Sequence, residues 1–270
     1  MIHVIKADRR SEPFSEQKLI QSIQRARIPQ SFQGDVLSHV KSKLYDGIST
    51  AEIYQYILEF LDRSPKPLNK ARYSLKESIM MLGPSGYPFE DFVSKVLETE
   101  GYATQVRQIL QGRCITHEID ILAQKDGKTI AVETKFHNSP GTRSEVQVAL
   151  YTHARFEDIK VRNNIVEAWL VTNTKTTIDA NTYALCSGMK VISWDYPEGN
   201  GLREMIERSR LHPITMLTNL AIPQKMTLLD NHIVLCKEIY TRPEVLDMLY
   251  LSKLDHEKVM KEVAAICSEE

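Results

Sequence analysis

Cysteine is scarce in this sequence: Cys114, Cys186, Cys236 and Cys267 are widely scattered and form no CxxC pair. That spacing argues against a zinc knuckle and against a disulfide framework, and leaves reduced, mostly buried thiols as the expectation. No apolar run approaches the ~18 residues of a membrane span. The opening MIHVIKADRR holds no apolar stretch of signal-peptide length, so the chain is expected in the cytoplasm, without a membrane partner. There is no GxxxxGK[ST] loop, which excludes a hydrolytic nucleotide site of the P-loop kind. Charge of one sign is lacking too: 34 Lys and Arg face 35 Asp and Glu, a net −1, so any nucleic-acid surface must be a local patch. Internal repeats and low-complexity tracts are absent. What remains is an ordinary globular composition, 42% hydrophobic and 26% charged, with length for two or three domains.

The charge is unevenly divided. Residues 1–82 carry a net +4, residues 83–200 a net −3 and residues 201–270 a net −2. Turn-rich punctuation at GPSGYP (83–88) and PEGNG (197–201) sets the same three segments apart. In the first, HVIK reads as a strand, and apolar spacing predicts helices through Phe14–Ala26, Val36–Leu44, Ile53–Leu61 and 71–82. Ser49 and Glu52 have capping-box spacing at the start of the third helix. In the second segment, Pro88 can open a helix that Gly101 stops. Two strands flank Asp126-Gly127, a dipeptide suited to a tight hairpin. A helix near 144–154, the strand AWLVTN, a helix near 182–187 and the strand KVISWD follow, an α/β alternation. The third segment reads as helical.

The stretch HEIDILAQKDGKTIAVETKFH, residues 117–137, poses the chemical question. Two runs that otherwise read as buried strands hold Glu118, Asp120, Glu133 and Lys135, and buried charge needs a partner such as a metal ion. Side chains alternate along a strand, so Glu133 and Lys135 share one face, as do Glu118 and Asp120. Paired as a hairpin, the strands bring Asp120 and Glu133 toward one cation. Mg²⁺, with Mn²⁺ as a substitute, takes oxygen ligands and keeps several waters, one of which can become a nucleophile. Lys135 beside it can orient or deprotonate that water and offset charge on a phosphate.

The order Glu90 on a helix, then Asp120, then Glu133-Thr134-Lys135 resembles the PD-(D/E)xK nucleases of the restriction-endonuclease-like fold, especially the Mrr-like branch. GYPFEDFVSKVLETEGY resembles that branch's opening helix, and Gln147 and Tyr151 match a QxxxY element of RecB-like relatives. The resemblance implies a mixed sheet flanked by helices, Mg²⁺-dependent cleavage of DNA and a 5′-phosphate product. It also implies metal held by Asp120 and Glu133, with Glu90, Lys135, Gln147 and Tyr151 supporting the reaction. His117 is expected as a strand-edge polar residue and Glu118 as a secondary ligand. RCITHE stands where Mrr-like members have a Gly-rich approach to the aspartate.

HVIKADRRSEPFSEQKLIQSI followed by LYDGISTAEIYQYILEFL resembles an ATP-cone, a small nucleotide-binding regulatory domain, over nearly all of residues 1–82. The resemblance implies phosphate contacts at Lys6 and Lys18, ribose or base contacts at Glu12 and Ser15, and base-side contacts at Thr50 and Tyr54. KADR replaces the usual K-R-D-G. ATP or dATP is then expected as an effector, acting through the oligomeric state, so a homo-oligomer is expected. The tail faintly resembles helix-hairpin-helix modules without their Gly hairpin, and packing, dimerisation or weak DNA binding are its open roles. The sequence thus predicts an α/β chain: an ATP-cone (1–82), a PD-(D/E)xK nuclease domain (83–200) and a helical tail (201–270). The expected function is nucleotide-regulated DNA cleavage. The alternatives are a catalytically inactive nucleotide-sensing DNA-binding regulator and a structure-selective nuclease on branched DNA or RNA.

Overall fold

Ser15 and Ser49 set where two helices begin. Ser15 Oγ accepts the Lys18 N–H at 3.3 Å, and Ser49 forms with Glu52 the reciprocal capping box that its spacing predicts. Each cap satisfies an N–H that the first helical turn leaves without a partner. The structure, a computed structural model, describes residues 2–6, 9–26, 28–63, 67–139 and 141–267. Its N-terminal part runs β1 (His3–Ile5), β2 (Ser11–Pro13), α1 (Glu16–Arg25), α2 (Gln30–Lys41), β3 (Ile48–Ser49), α3 (Thr50–Asp62) and α4 (Pro67–Met80). β1 pairs antiparallel with β2 and parallel with β3. Val4, Leu19, Ile23, Val36, Ile48 and Ile57 fill the core between this small sheet and the helices. β2 and β3 are not expected from the sequence, because two or three residues are too few for alternation to register. α4 starts at Pro67 rather than at 71.

Gly86, at φ +87°, and Pro88 in the first turn open α5 (Tyr87–Thr99). Gly101, at φ +88°, closes it while Tyr102 N–H returns to Leu97 O. Next come β4 (Ala103–Gln111), β5 (Thr116–Lys125), β6 (Lys128–Lys135), β7 (Arg143–Ser144), α6 (Val146–Ile159), β8 (Ile165–Thr172), β9 (Lys175–Thr176), α7 (Ile178–Cys186) and β10 (Lys190–Ile192). Asp126 and Gly127 both take positive φ, 51° and 74°, as a two-residue type I′ hairpin turn requires, so Lys125 faces Lys128 and the register is set. The main sheet has the order β10-β8-β6-β5-β4, antiparallel on the β4 side and parallel on the β10 side. α5 packs on one face, α6 and α7 on the other. β4 is a finding that alternation did not predict, since this edge strand carries Gln105, Arg107, Gln108 and Gln111 among its apolar residues. α6 begins at Val146, because Ser144 belongs to β7.

The tail comprises α8 (Leu202–Ser209), α9 (Ile222–Asp230), α10 (Cys236–Thr241) and α11 (Lys253–Cys267), with 3-10 turns at Ile214–Met216 and Pro243–Leu249. Its buried Leu228, Val234, Ile239 and Val263 join Phe89, Phe92, Ile121, Val132 and Trp169 in one continuous core. Burial of such a side chain stabilises by about 1.5–3 kcal/mol, so the tail is bound to the sheet layer by its apolar stripes. α4 serves both cores: Tyr73 packs with the N-terminal one, Leu75 and Ile79 with the large one. No helix among the described residues is long and apolar enough to cross a membrane. All four cysteines are free, but only Cys236 is fully buried; Cys114, in the β4–β5 turn, and Cys186, at the end of α7, are exposed, against expectation.

Candidate active site and nucleotide cavity

The hairpin ladder runs from Lys125 opposite Lys128 to Ile121 opposite Val132, and one step further sets Asp120 beside Glu133. There the backbone ladder stops. Asp120 Oδ2 instead accepts the Thr134 N–H at 2.7 Å and the Thr134 hydroxyl at 3.0 Å. From Glu133 to Lys135, β6 continues to pair with β8 alone. Asp120 and Glu133 therefore sit where β5 and β6, both interior strands, part from each other.

Glu90 reaches the same place from the first turn of α5. It is buried and accepts from Arg107 Nη1 at 3.1 Å, while Arg107 Nη2 donates to Asp91 at 2.8 Å. Arg107 itself has φ +51°, a left-handed conformation that costs a side-chain-bearing residue energy. It interrupts the β4–β5 ladder between Val106 and Gln108, at the position facing Asp120. On the opposite side Arg155 Nη1 donates to Glu133 Oε2 at 2.5 Å, and its guanidinium lies over the Tyr151 ring, 5.3 Å from the centroid.

Three carboxylates thus share one design. Glu90, Asp120 and Glu133 each have one oxygen held by a donor and the other without a hydrogen-bond partner among the described residues. Burial and then the Asp120 charge push the Glu133 carboxyl up to about 7, and the same two causes push Glu90 up to about 7. Asp120 is raised as well, chiefly by burial, against the pull of Thr134. Buried carboxylates that raise one another in this way call for a cation in their midst. Among the described residues no group of three or more His, Cys, Asp and Glu side chains is set as a metal cage. The hard oxygen donors left over suit an ion that keeps water in much of its shell.

Lys135 is exposed and makes no ion pair among the described residues. Gln147 is exposed, and among the described residues it makes no hydrogen bond to the carboxylates, while Tyr151 meets the site through Arg155. Glu118 is exposed and adds to the charge that raises Asp120. His117 Nε2 bonds Asp158 at 2.9 Å, and Asp158 also accepts the N–H groups of Cys114 and Ile115, pinning the β4–β5 turn to α6. Arg107 and Arg155 are the residues that sequence reasoning missed. A signal for Arg155 was present, since it lies four residues after Tyr151 on the Gln147–Tyr151 helix face.

Lys6, Glu12, Ser15, Lys18, Thr50 and Tyr54 all line one cavity of about 270 Å³ in the N-terminal unit. Lys6 and Lys18 share the Glu12 carboxylate, at 2.9 and 2.8 Å, and Lys18, then Lys6, hold that carboxyl below its usual range. Ser15 caps α1 at the cavity wall. Tyr54 stacks against Tyr73 with centroids 5.3 Å apart, and its phenol, raised by burial and then by the Glu77 carboxylate, has no hydrogen-bond partner at normal distance among the described residues. Ala7 and Asp8 of the KADR stretch lie outside the described residues.

Residues 2–77 match the ATP cone domain family, residues 82–204 a restriction endonuclease family, and residues 212–267 the C-terminal region of AF1548-like proteins. An uncharacterized protein of Archaeoglobus fulgidus is 39% identical over 125 residues, which span 46% of this chain and 71% of that protein. The crystal structure of AF1548, a protein of unknown function, superposes with a TM-score of 0.60 at 33% identity, over 68% of this chain and 99% of that one. The chain belongs to the AF1548-like family. In this AF1548-like protein an ATP cone precedes a restriction-endonuclease-like domain, so the mixed sheet with its flanking helices is that fold. The three carboxylates fall within the span of the endonuclease match, and the cavity within that of the cone.

Proposed function

We propose that this protein is a nucleotide-regulated, divalent-metal-dependent DNA endonuclease. The observation that carries this reading is the cluster of Glu90 on α5, Asp120 on β5 and Glu133 on β6, each with one tethered oxygen and one without a partner among the described residues, with Lys135 two residues beyond Glu133 on the same strand. Asp120 and Glu133 would hold Mg²⁺ or Mn²⁺, with Glu90 in support. Such an ion, when bound, supplies an acidified water and positive charge toward a phosphate.

The chain's own residues do the rest. Thr134 fixes the Asp120 carboxylate, Arg155 fixes Glu133 and Arg107 fixes Glu90, so the oxygens need little reorganisation when charge arrives. Lys135 orients the attacking water and stabilises the charge that grows on the phosphate oxygens. Water oxygen bonds to phosphorus, the bond from phosphorus to the 3′ oxygen breaks, and a 5′-phosphate and a 3′-hydroxyl result. Gln147 and Tyr151 lie along α6 for contact with the DNA backbone. In the cone, Lys6 and Lys18 meet phosphate, while Glu12, Ser15, Thr50 and Tyr54 meet ribose and base, and ATP or dATP acts as effector.

The test is plasmid cleavage with Mg²⁺, with and without ATP and dATP, beside Lys135→Ala. Cleavage that disappears in the variant supports the mechanism, and equal cleavage by the variant overturns it. Lys135 is exposed and makes no ion pair among the described residues, so its loss leaves stability within about 0.5 kcal/mol. No cleavage of plain, methylated or branched DNA would favour the non-catalytic nucleotide sensor instead.

A further inference from the structure

A second cavity, of about 330 Å³, adjoins the first and lies between the ATP cone and the restriction-endonuclease-like domain. Lys18, Ser22, Tyr54 and Tyr73 line both. The two spaces differ in chemistry. The cone cavity is walled by Phe14, Ile53, Tyr54 and Tyr73, surfaces that suit a flat heterocyclic base. The interdomain cavity gathers five cationic side chains, Lys18, Arg25, Lys76, Lys175 and Arg203, against the carboxylates of Asp195 and Glu207.

Part of that charge is answered by neighbours: Lys18 pairs with Glu12 at 2.8 Å, and Arg203 donates to Glu204 from Nε and Nη2, while Lys175 and Lys76 are held less closely. Asp195 is shared between Lys175 at 3.5 Å and Arg203 at 3.7 Å, both longer than a good charge-assisted hydrogen bond. Lys76, on α4, lies over the Trp194 ring at 5.4 Å. Burial, with repulsion from Lys175 and Arg203, holds its ammonium below the usual lysine range despite the pull of Asp195. Cations collected from two domains into a partly buried space gain most from an anion that enters between them.

We propose that the interdomain cavity takes the distal phosphates of the nucleoside triphosphate whose base sits in the cone cavity, so that one nucleotide joins the two domains. The proposal rests on the nucleotide reading above and extends it. Lys18, common to both cavities, meets the phosphates where they pass from one space to the other. Lys175 and Arg203, outside the cone, then read the number of phosphates. A monophosphate cannot reach them, so the bridge forms with a triphosphate and fails with its hydrolysed forms. Because Lys175 lies in β9, shortly after β8, and Arg203 lies in α8, the helix after β10, the bridge gives the effector a physical route to that domain.

The test is calorimetric titration of the full chain with ATP and with AMP, for wild type, Lys175→Ala, Lys175→Arg and Arg203→Gln. Lys175 is largely exposed, so Lys175→Ala folds as wild type does. The expected result is ATP affinity about tenfold weaker in Lys175→Ala and Arg203→Gln, AMP affinity within about twofold of wild type, and recovery in Lys175→Arg. Wild-type ATP affinity in both weakened variants would overturn the bridge and leave the cone cavity standing. Equal loss for ATP and AMP would overturn it too, since the effect would not lie at the distal phosphates. A wild-type chain that binds no ATP would overturn the bridge and the nucleotide reading together.

Discussion

Replacing Asp120 with Asn should abolish cleavage and, in the same stroke, stabilise the ion-free protein at pH 8. Glu133 and Glu90 keep their protons to about pH 7, against 4.5 for an unperturbed carboxyl. Below pH 4.5 the folded and unfolded chains are both protonated at these positions. As pH rises from there, the unfolded chain ionises first, so stability falls until the folded carboxyls ionise near 7. At about 1.4 kcal/mol per pH unit, each group withdraws about 3 kcal/mol at alkaline pH. The Asp120 charge is the second cause at both, after burial, so removing it should return about 1–2 kcal/mol in all. Asn keeps an oxygen that can accept the Thr134 N–H, so the local geometry is retained. Urea denaturation and calorimetry in EDTA at pH 5 and pH 8 would measure the effect. The midpoint of thermal unfolding should rise by roughly 3–6 °C at pH 8. The gain should be smaller at pH 5, where the glutamates are protonated in both proteins and only the burial cost of the Asp120 charge itself is removed. A variant less stable than wild type at pH 8, or equally stabilised at both pH values, would refute the reasoning that the carboxylates repel one another.

Arg107→Ala leaves Glu90 and Asp91 buried without their cation and should cost about 3 kcal/mol in urea denaturation at pH 8; an unchanged midpoint would count against the bridge. Protons compete with the metal at Glu133 and Glu90, so Mg²⁺ affinity measured by calorimetry should climb from pH 6 and level off above about pH 7. A flat profile would mean that these groups do not hold the ion. Lys18→Ala should weaken ATP binding about tenfold while leaving the fold unchanged, as a lost charge-assisted contact does; equal affinity would remove Lys18 from the phosphate site.

What could be read from the sequence was what local chemistry decides. Asp126-Gly127 can hardly do anything but turn a tight hairpin, and once it does, Asp120 and Glu133 are adjacent by counting. Ser49 with Glu52, and Pro88 with Gly101, bound their helices for reasons that lie within a few residues. The resemblance to nucleases and to ATP cones then named the site residues, and the structure brings the cone residues to one cavity and Glu90, Asp120 and Glu133 together where β5 and β6 part. What stayed hidden was held by distance along the chain. Arg107 meets Glu90 and Asp91 across the gap between a strand and the preceding helix, and Arg155 meets Glu133 from a helix beyond the sheet. No periodicity reports such pairings. β4 escaped because an edge strand needs apolar side chains at few positions, so its polar residues masked the alternation.

α4 bears on how this protein can be taken apart. The ATP cone and the endonuclease domain are recognisable as separate families, yet one helix lends Tyr73 to the first and Leu75 and Ile79 to the second. A cone excised before α4 would lose a wall of its cavity, and a cone excised after it would carry an apolar stripe into water. The same holds for transplantation: grafting this cone onto another enzyme moves half of an interface. Either cut therefore leaves one of the two cores missing side chains that this helix supplies.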